Sequence, residues 1–270
     1  GTFTVQRSAE ELSAKVDWWG EIKEGVKWLW HHPLLRPMAI ILGFLNALGS
    51  LVFATLVLFA QEVLGVTAFV FAILGAAGAI GGVLGSVLSP RISKALGSGT
   101  SLYTTFIAAF ATSVIIGLTS NWVVVFINFG VFSFTAVLWN VITVSLRQTI
   151  IPDHLLGRVN SVYRFFAWGM MPIGLAAGGL IVAAVEGAGG LREIALRMPW
   201  FVAAGAYVLL FIYAAPKLTT AKIEAARAEG IAAKEADGDP SPPDDIETGS
   251  EAIAETGLPG AIPPDADDEA

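Results

Sequence analysis

Four residues in an uncharged run share one helical stripe: Asn128, Phe132, Thr135 and Trp139, at offsets of 4, 7 and 11. An amide, a hydroxyl and two aromatic rings on one face suit a moderately hydrophobic organic solute. The rings supply contact area and the polar atoms fix orientation. Asn46 and Ser50, four apart, form a shorter stripe of the same kind. A polar side chain at hydrocarbon depth turns to a partner, a bundle interior or a wet cavity. These six residues are therefore the candidate substrate cavity, with interhelical hydrogen bonding as the competing role. Ser133, Asn140 and Arg147 fall on a second face, expected to touch neighbouring helices.

Other chemistry has little support. His31 and His32 are adjacent and point apart on a helix, and neither they nor His154 have a carboxylate cluster, so no metal site is expected. The chain has no cysteine, hence no disulfide or thiolate site. It contains no nucleophile–base constellation and no phosphate-binding loop, so neither an enzyme nor a cofactor is expected. Nucleic acid is not an expected partner either. The basic loops follow from membrane topology.

The elements that must position the stripes come from charge distribution. Only 14% of the 270 residues are charged, against about 25% in a soluble domain. Met38–Ala60, Val66–Pro90, Ser98–Leu146, Phe165–Val185 and Met198–Pro216 carry no charge. A crossing needs about 20 apolar residues. The 98–146 run accommodates two, with "TSNW" (119–122) as the turn. Six spans result, near 38–60, 66–88, 99–118, 122–146, 160–185 and 198–216. The fold class is an all-α membrane protein with the spans in one bundle.

Cytoplasmic loops retain Lys and Arg. With six spans, Lys23, Lys27, Arg36, Arg91, Lys94, Arg147, Arg158, Arg164, Lys217, Lys222 and Arg227 fall on one side, and only Arg192 and Arg197 on the other. Both termini are thus expected in the cytoplasm, and the inner (cell) membrane is the expected location. Glu62, at the far end of span one, reads as an interfacial cap.

Residues 1–17 read as a polar cytoplasmic linker. Over 18–32, Trp19, Ile22, Val26, Leu29 and Trp30 recur at helical spacing opposite Glu21, Lys23, Glu24 and Lys27, as in an amphipathic helix lying at the headgroups. The bundle fills 33–216. Residues 1–216 hold 12 Lys/Arg against 9 Asp/Glu, and 217–270 hold 4 against 14. The acidic segment has little to bury and is expected to be disordered. The chain opens on Gly1, so it is expected to be a piece of a longer polypeptide.

Two spans carry small residues four apart, which lets helix backbones approach closely in lipid. In span two these are Gly78 and Gly82, and Gly81 and Gly85. In span five they are Gly174 and Gly178, with Pro172 expected to bend the helix.

Spans four and five are joined by "LRQTIIPDHLLGRVNSVYRFFAWGMMPIGLAAGGLI". This stretch resembles the major facilitator superfamily, in the branch of bacterial multidrug and macrolide efflux proteins and enterobactin-type siderophore exporters. The residues that carry the likeness are Arg147, Gln148, Pro152, Gly157, Arg158, Val159, Ser161, Pro172 and Gly174. "EIKEGVKWLWHHPLLRPM" is similar to the family's approach to its seventh helix. "GSVLSPRISKALG", with Gly85, Pro90, Arg91 and Gly97, is similar to its eighth-to-ninth loop. Together these cover about residues 20–216.

The resemblance implies that the spans are helices seven to twelve of a twelve-helix carrier, built as a 3+3 inverted repeat. The first bundle is missing and becomes the expected partner, beside the lipid bilayer and a small-molecule substrate. First and fourth helices of each bundle line the cavity in this family, which agrees with both stripes. Efflux by alternating access is implied, as an antiporter using protons. No span has an acid at mid-depth, so a coupling acid would lie outside these residues. Ser89-Pro90-Arg91 departs from the family's acidic gating loop. Arg91, Arg147, Gln148, Pro152, Gly157, Arg158 and Arg164 form the expected cytoplasmic gate: Gly157 packs against the facing loop, and Arg147, Arg158 and Arg164 pair with acids on the partner bundle. The alternative is a six-span scaffold or the membrane domain of an ATP-driven exporter.

Overall fold

The computed structural model describes residues 18–236, which are helical with no strand. The linker expected over 1–17 and the segment beyond 236 lie outside the described residues. Helix α1 (Trp18–His31) leads into α2 (Leu35–Phe53), followed by α3 (Ala68–Leu96), α4 (Ser98–Leu118), α5 (Trp122–Ile150), α6 (Asp153–Gly169), α7 (Met171–Gly187), α8 (Arg192–Ala214) and α9 (Thr220–Ala236). Six helical stretches are long and apolar enough to cross a membrane, with α6 and α7 counting as one of 35 residues. Without water to solvate the backbone, an uncharged run must bond its own N–H and C=O groups, and a helix does so. The outer faces are apolar: Leu180, Leu209 and Ile212 are all more than 60% exposed. That is a surface for lipid.

The boundaries follow local chemistry. Asn121 Oδ1 accepts the Val123 N–H at 2.9 Å and caps α5, so the turn at 119–122 falls where expected. Span one does not continue as one helix to 60. It leaves α-geometry after Phe53, passes through a short turn at Leu56–Leu58, and ends in a π-helical turn at Phe59–Val63. Span five also differs. The helix breaks at Met170, and Pro172 stands in the first turn of α7, where its missing N–H is no loss. Pro172 starts a helix here and does not bend one.

The most extensive pairings are α3 with α5, α2 with α7, and α4 with α8; α5 also packs on α4, and α2 on α6 and α8. Glycine makes the first two possible. A Cβ on Gly81 would strike the Gly130 carbonyl, and one on Gly85 would stand 2.9 Å from the Phe134 oxygen. Across the bundle, a Cβ on Gly174 or Gly178 would strike the Ala47 or Leu51 carbonyl. Gly78 takes no part in this: a Cβ there meets nothing within 4 Å, and one on Gly82 would be in ordinary contact, 3.5 Å from Ser133 Oγ. The seam of α3 is therefore Gly81/Gly85.

Residues 220–236, expected to be disordered, form a helix. Helix α9 crosses the ends of α4 and α5. Ile223 is fully buried, Glu224 accepts a hydrogen bond from Ser98 Oγ at 2.9 Å, and Gly230 lies against the Thr149 carbonyl, where a Cβ would be 2.6 Å away. Alanine favours helix, and these few anchors hold it down.

Helix α1 keeps its amphipathic register but divides it differently. Trp19, Ile22, Val26 and Trp30 are 73, 46, 37 and 44% exposed, while Leu29 is fully buried against the bundle. Gly25 lies on the Arg158 backbone, where a Cβ would be 3.0 Å from the carbonyl oxygen. One face thus docks on α6, leaving the Trp19–Trp30 face outward.

Candidate functional site

Two adjoining cavities open between the helices. The first, about 370 Å³, is lined by Asn46 and Ser50 of α2 and by Phe132, Thr135 and Trp139 of α5, so five of the six expected cavity residues meet. Asn128 does not reach it. That residue is buried, and its Nδ2 donates back to the Val124 carbonyl at 2.8 Å. The wall also takes in residues outside the two stripes, among them Asn140, Met171 and Tyr207. Asn140 was expected on a helix-contact face. It follows Trp139 directly, and the cavity is wide enough to take both.

The polar atoms here differ in what they leave over. Thr135 Oγ1 donates to the Phe132 carbonyl at 2.9 Å, within its own helix. Asn46 Nδ2 donates to the Ala167 carbonyl at 3.0 Å, three residues before the α6–α7 break, so it braces that backbone as well as lining the cavity. Trp139 Nε1 and Asn140 Oδ1 have no partner among the described residues, though the side chains are 2 and 3% exposed. A buried donor or acceptor left unmade costs about 1–3 kcal/mol. Phe106 meets the Trp139 ring edge-on, centroids 5.5 Å apart at 81°, and fixes the indole.

The second cavity, about 380 Å³, lies alongside and shares Gly49, Phe53, Phe132 and Tyr207 with the first. Its floor is α3, with Gly75, Gly78 and Gly82. Its other walls include Ser133, Phe129 and Trp200. No residue lining either cavity is Asp, Glu, Lys, Arg or His.

The basic hairpin is organised within the chain. Arg158 bonds Glu24 at 2.8 Å and Glu21 at 3.0 Å, both on α1. The expectation that it waits for acids on another bundle is corrected to this extent: two acids of its own chain already hold it. Arg147 is 2% exposed, with its guanidinium 4.0 Å from the Tyr163 ring centroid. A buried cation stacked on an aromatic face is a core element, so Arg147 does not emerge at the helix end. Arg164 lies over Trp168 at 4.9 Å, and Arg91 is exposed. Gln148 is half-buried. Pro152 caps α6 with extended backbone and Asp153 opens its first turn, where negative charge is favoured. Lys234 of α9 also pairs with Asp153, at 2.5 Å. Among the described residues, a Cβ on Gly157 would meet nothing within 4 Å. Gly25 on α1 makes the close approach instead.

At the opposite end, Arg192 bridges Glu62 at 2.8 Å and Glu186 at 2.6 Å, tying the π-helical turn to the start of α8. That hydrogen bond holds the Glu62 carboxyl below the usual carboxylate range. Among the described residues no three His, Cys, Asp or Glu side chains gather as metal ligands.

Compared with family models, with curated proteins and with solved structures, the chain matches none.

Sequence reasoning missed Tyr207, Met171 and Asn140. Tyr207 offered one usable signal, a phenol at mid-depth in an uncharged span. Met171 offered none.

Proposed function

We propose that the chain is one six-helix half of a secondary active transporter of the major facilitator type, exporting small, uncharged organic molecules by alternating access. The observation that carries this reading is the neutral crevice between α2 and α5. It is walled by rings and amides and holds two unpartnered polar atoms, Trp139 Nε1 and Asn140 Oδ1, deep in an apolar bundle. The helix pairings support it. Taking α2–α4 and α5–α8 as two three-span units, the middle span of each seats a glycine pair on the first span of the other: α3 on α5, and α7 on α2. The third spans, α4 and α8, pack together. An inverted repeat produces such an exchange.

On this reading a second six-helix bundle closes the crevice. The basic end, where α1 and α9 both sit, faces the cytoplasm, and the membrane is the inner one. Of the expected gate arginines, Arg91 and Arg164 are exposed and meet acids on the partner bundle, with Arg158 acting through α1. Protons are the proposed coupling ion, and the coupling acid lies on the partner. No chemistry is done on the cargo.

The test is transport by the full-length protein in proteoliposomes, driven by a pH gradient and screened over uncharged lipophilic compounds. Gradient-driven, ATP-insensitive uptake that falls about tenfold or more in Trp139→Ala supports the proposal. Uptake that needs ATP, or a Trp139→Ala protein that transports like the parent, overturns it.

A further inference from the structure

Helix α3 uses its glycines on two faces. Gly81 and Gly85 are occluded by the α5 backbone, and packing explains them. Gly75 and Gly78 are different: a Cβ on either meets nothing within 4 Å. Helix contact does not account for a missing side chain at these positions. With Gly82 they recur at offsets of 3 and 7, one helical face, and all three line the cavity of about 380 Å³. Their effect is to keep that volume open.

Two side chains in the same cavity point to an occupant. Ser133 and Trp200 are 1 and 5% exposed, and Ser133 Oγ and Trp200 Nε1 have no hydrogen-bond partner among the described residues. The hydroxyl stands 3.5 Å from where a Cβ of Gly82 would be, beside the glycine floor. A buried donor without an acceptor is unfavourable, and a ligand carrying a carbonyl or ether oxygen corrects it. The volume is that of a drug-sized pocket, and the lining carries no charge.

We propose that the glycine face of α3 forms a second, lipophilic subsite for uncharged organic molecules, adjoining the Asn46–Trp139 cavity and divided from it by Phe132 and Tyr207. A cargo longer than one cavity lays its polar end against the amides and its ring system over Gly75 and Gly78. The physiological use of this subsite rests on the carrier reading; its existence does not.

The experiment is equilibrium binding of Nile red, an uncharged fluorescent phenoxazinone that carries a carbonyl and a ring ether oxygen, to the full-length protein in lipid nanodiscs, with empty discs subtracted. Saturable binding is expected, weakened about tenfold by Gly78→Leu and by Gly75→Leu, since each fills much of the floor. Gly78→Ala should weaken it less, in the same direction. Gly205→Leu adds the same bulk to an exposed position of α8 where a Cβ also meets nothing, and should leave binding unchanged. Binding by folded Gly78→Leu or Gly75→Leu equal to the parent overturns the proposal. So does a parent with no saturable binding above empty discs, the result expected if a lipid chain fills the pocket. Saturable binding without gradient-driven transport sinks the carrier reading and leaves the subsite standing.

Discussion

Helix α7 seats Gly174 and Gly178 on α2, and helix α3 seats Gly81 and Gly85 on α5. The two contacts have the same spacing and the same partner group, a backbone carbonyl. The helices differ around them. α3 runs unbroken for 29 residues and turns further glycines toward a cavity. α7 is short, starts after a break, turns Ile173 and Leu180 outward, and gives the other cavity Met171 and Leu175 where α3 gives glycine. Helix contacts in lipid gain little from apolar burial, so close backbone approach must supply the attraction. A glycine pair is thus needed at both seams. Any additional glycine serves something other than adhesion.

The sharpest way to break this comparison is to fill both seams. Gly174→Leu and Gly81→Leu each drive a side chain into a carbonyl that cannot move away. Each should cost about 3 kcal/mol or more, seen as a large fall in thermal midpoint or loss of the monodisperse protein. Gly78→Leu should stay near the parent midpoint. If Gly78→Leu and Gly81→Leu are equally damaging, the division of α3 into two faces is wrong.

The break before α7 has no counterpart in α3, and Asn46 serves it. Asn46→Ala removes the amide that meets the Ala167 carbonyl and should cost about 1–2 kcal/mol, with faster amide hydrogen exchange over 166–172. Thr135→Val, whose hydroxyl is satisfied inside its own helix, should not change exchange there. Equal effects would place Asn46 among the passive wall residues.

The α7 side also carries α1, which the α3 side lacks. His32 joins α1 to α2: its Nδ1 accepts the N–H groups of Leu34 and Leu35, each at 3.2 Å. Burial lowers its pKa, opposed by the nearby charge of Glu229 on α9. A folded pKa below the unfolded one means that the unfolded chain binds the proton first. Stability at this junction should therefore be level above about pH 6.5 and fall as pH drops below it. His32→Asn keeps an acceptor for the cap and should flatten the profile, read by thermal midpoint between pH 8 and pH 5.

The smallest effect belongs to Arg158. Its side chain and those of Glu21 and Glu24 are 34, 40 and 52% exposed, and exposed pairs give about 0.2–1 kcal/mol. Arg158→Ala should speed exchange in α1 while leaving the α3–α5 seam untouched. A loss of stability as large as that of Gly174→Leu would mean that α1 is part of the core.

The spans were legible because hydrocarbon tolerates no charge, and an uncharged run is visible in a sequence. The turn at 119–122 was legible through Asn121. Within α5, periodicity brought Phe132, Thr135 and Trp139 to one cavity, but could not show where the cavity stops, so Asn128 was included and Asn140 left out. Helix α9 was hidden by composition. Alanine and glutamate read as a solvated tail, and the contacts that fix it, Gly230 on a carbonyl and one buried Ile223, leave almost no pattern. Arg158 was recognised as a residue with a partner, but its partners within the chain, Glu21 and Glu24, lie more than 130 positions away and leave no local signal.

One consequence follows from the interruption at Met170. α6 is fastened to α1 by two ion pairs and a glycine contact, and α7 is fastened to α2. α2 spans the interruption: its Asn46 bonds the Ala167 carbonyl on one side, and its Ala47 carbonyl seats Gly174 on the other. Adjacent residues of one continuous helix thus act as a splint across two half-length rods, and bending at Met170 requires one of those two contacts to open.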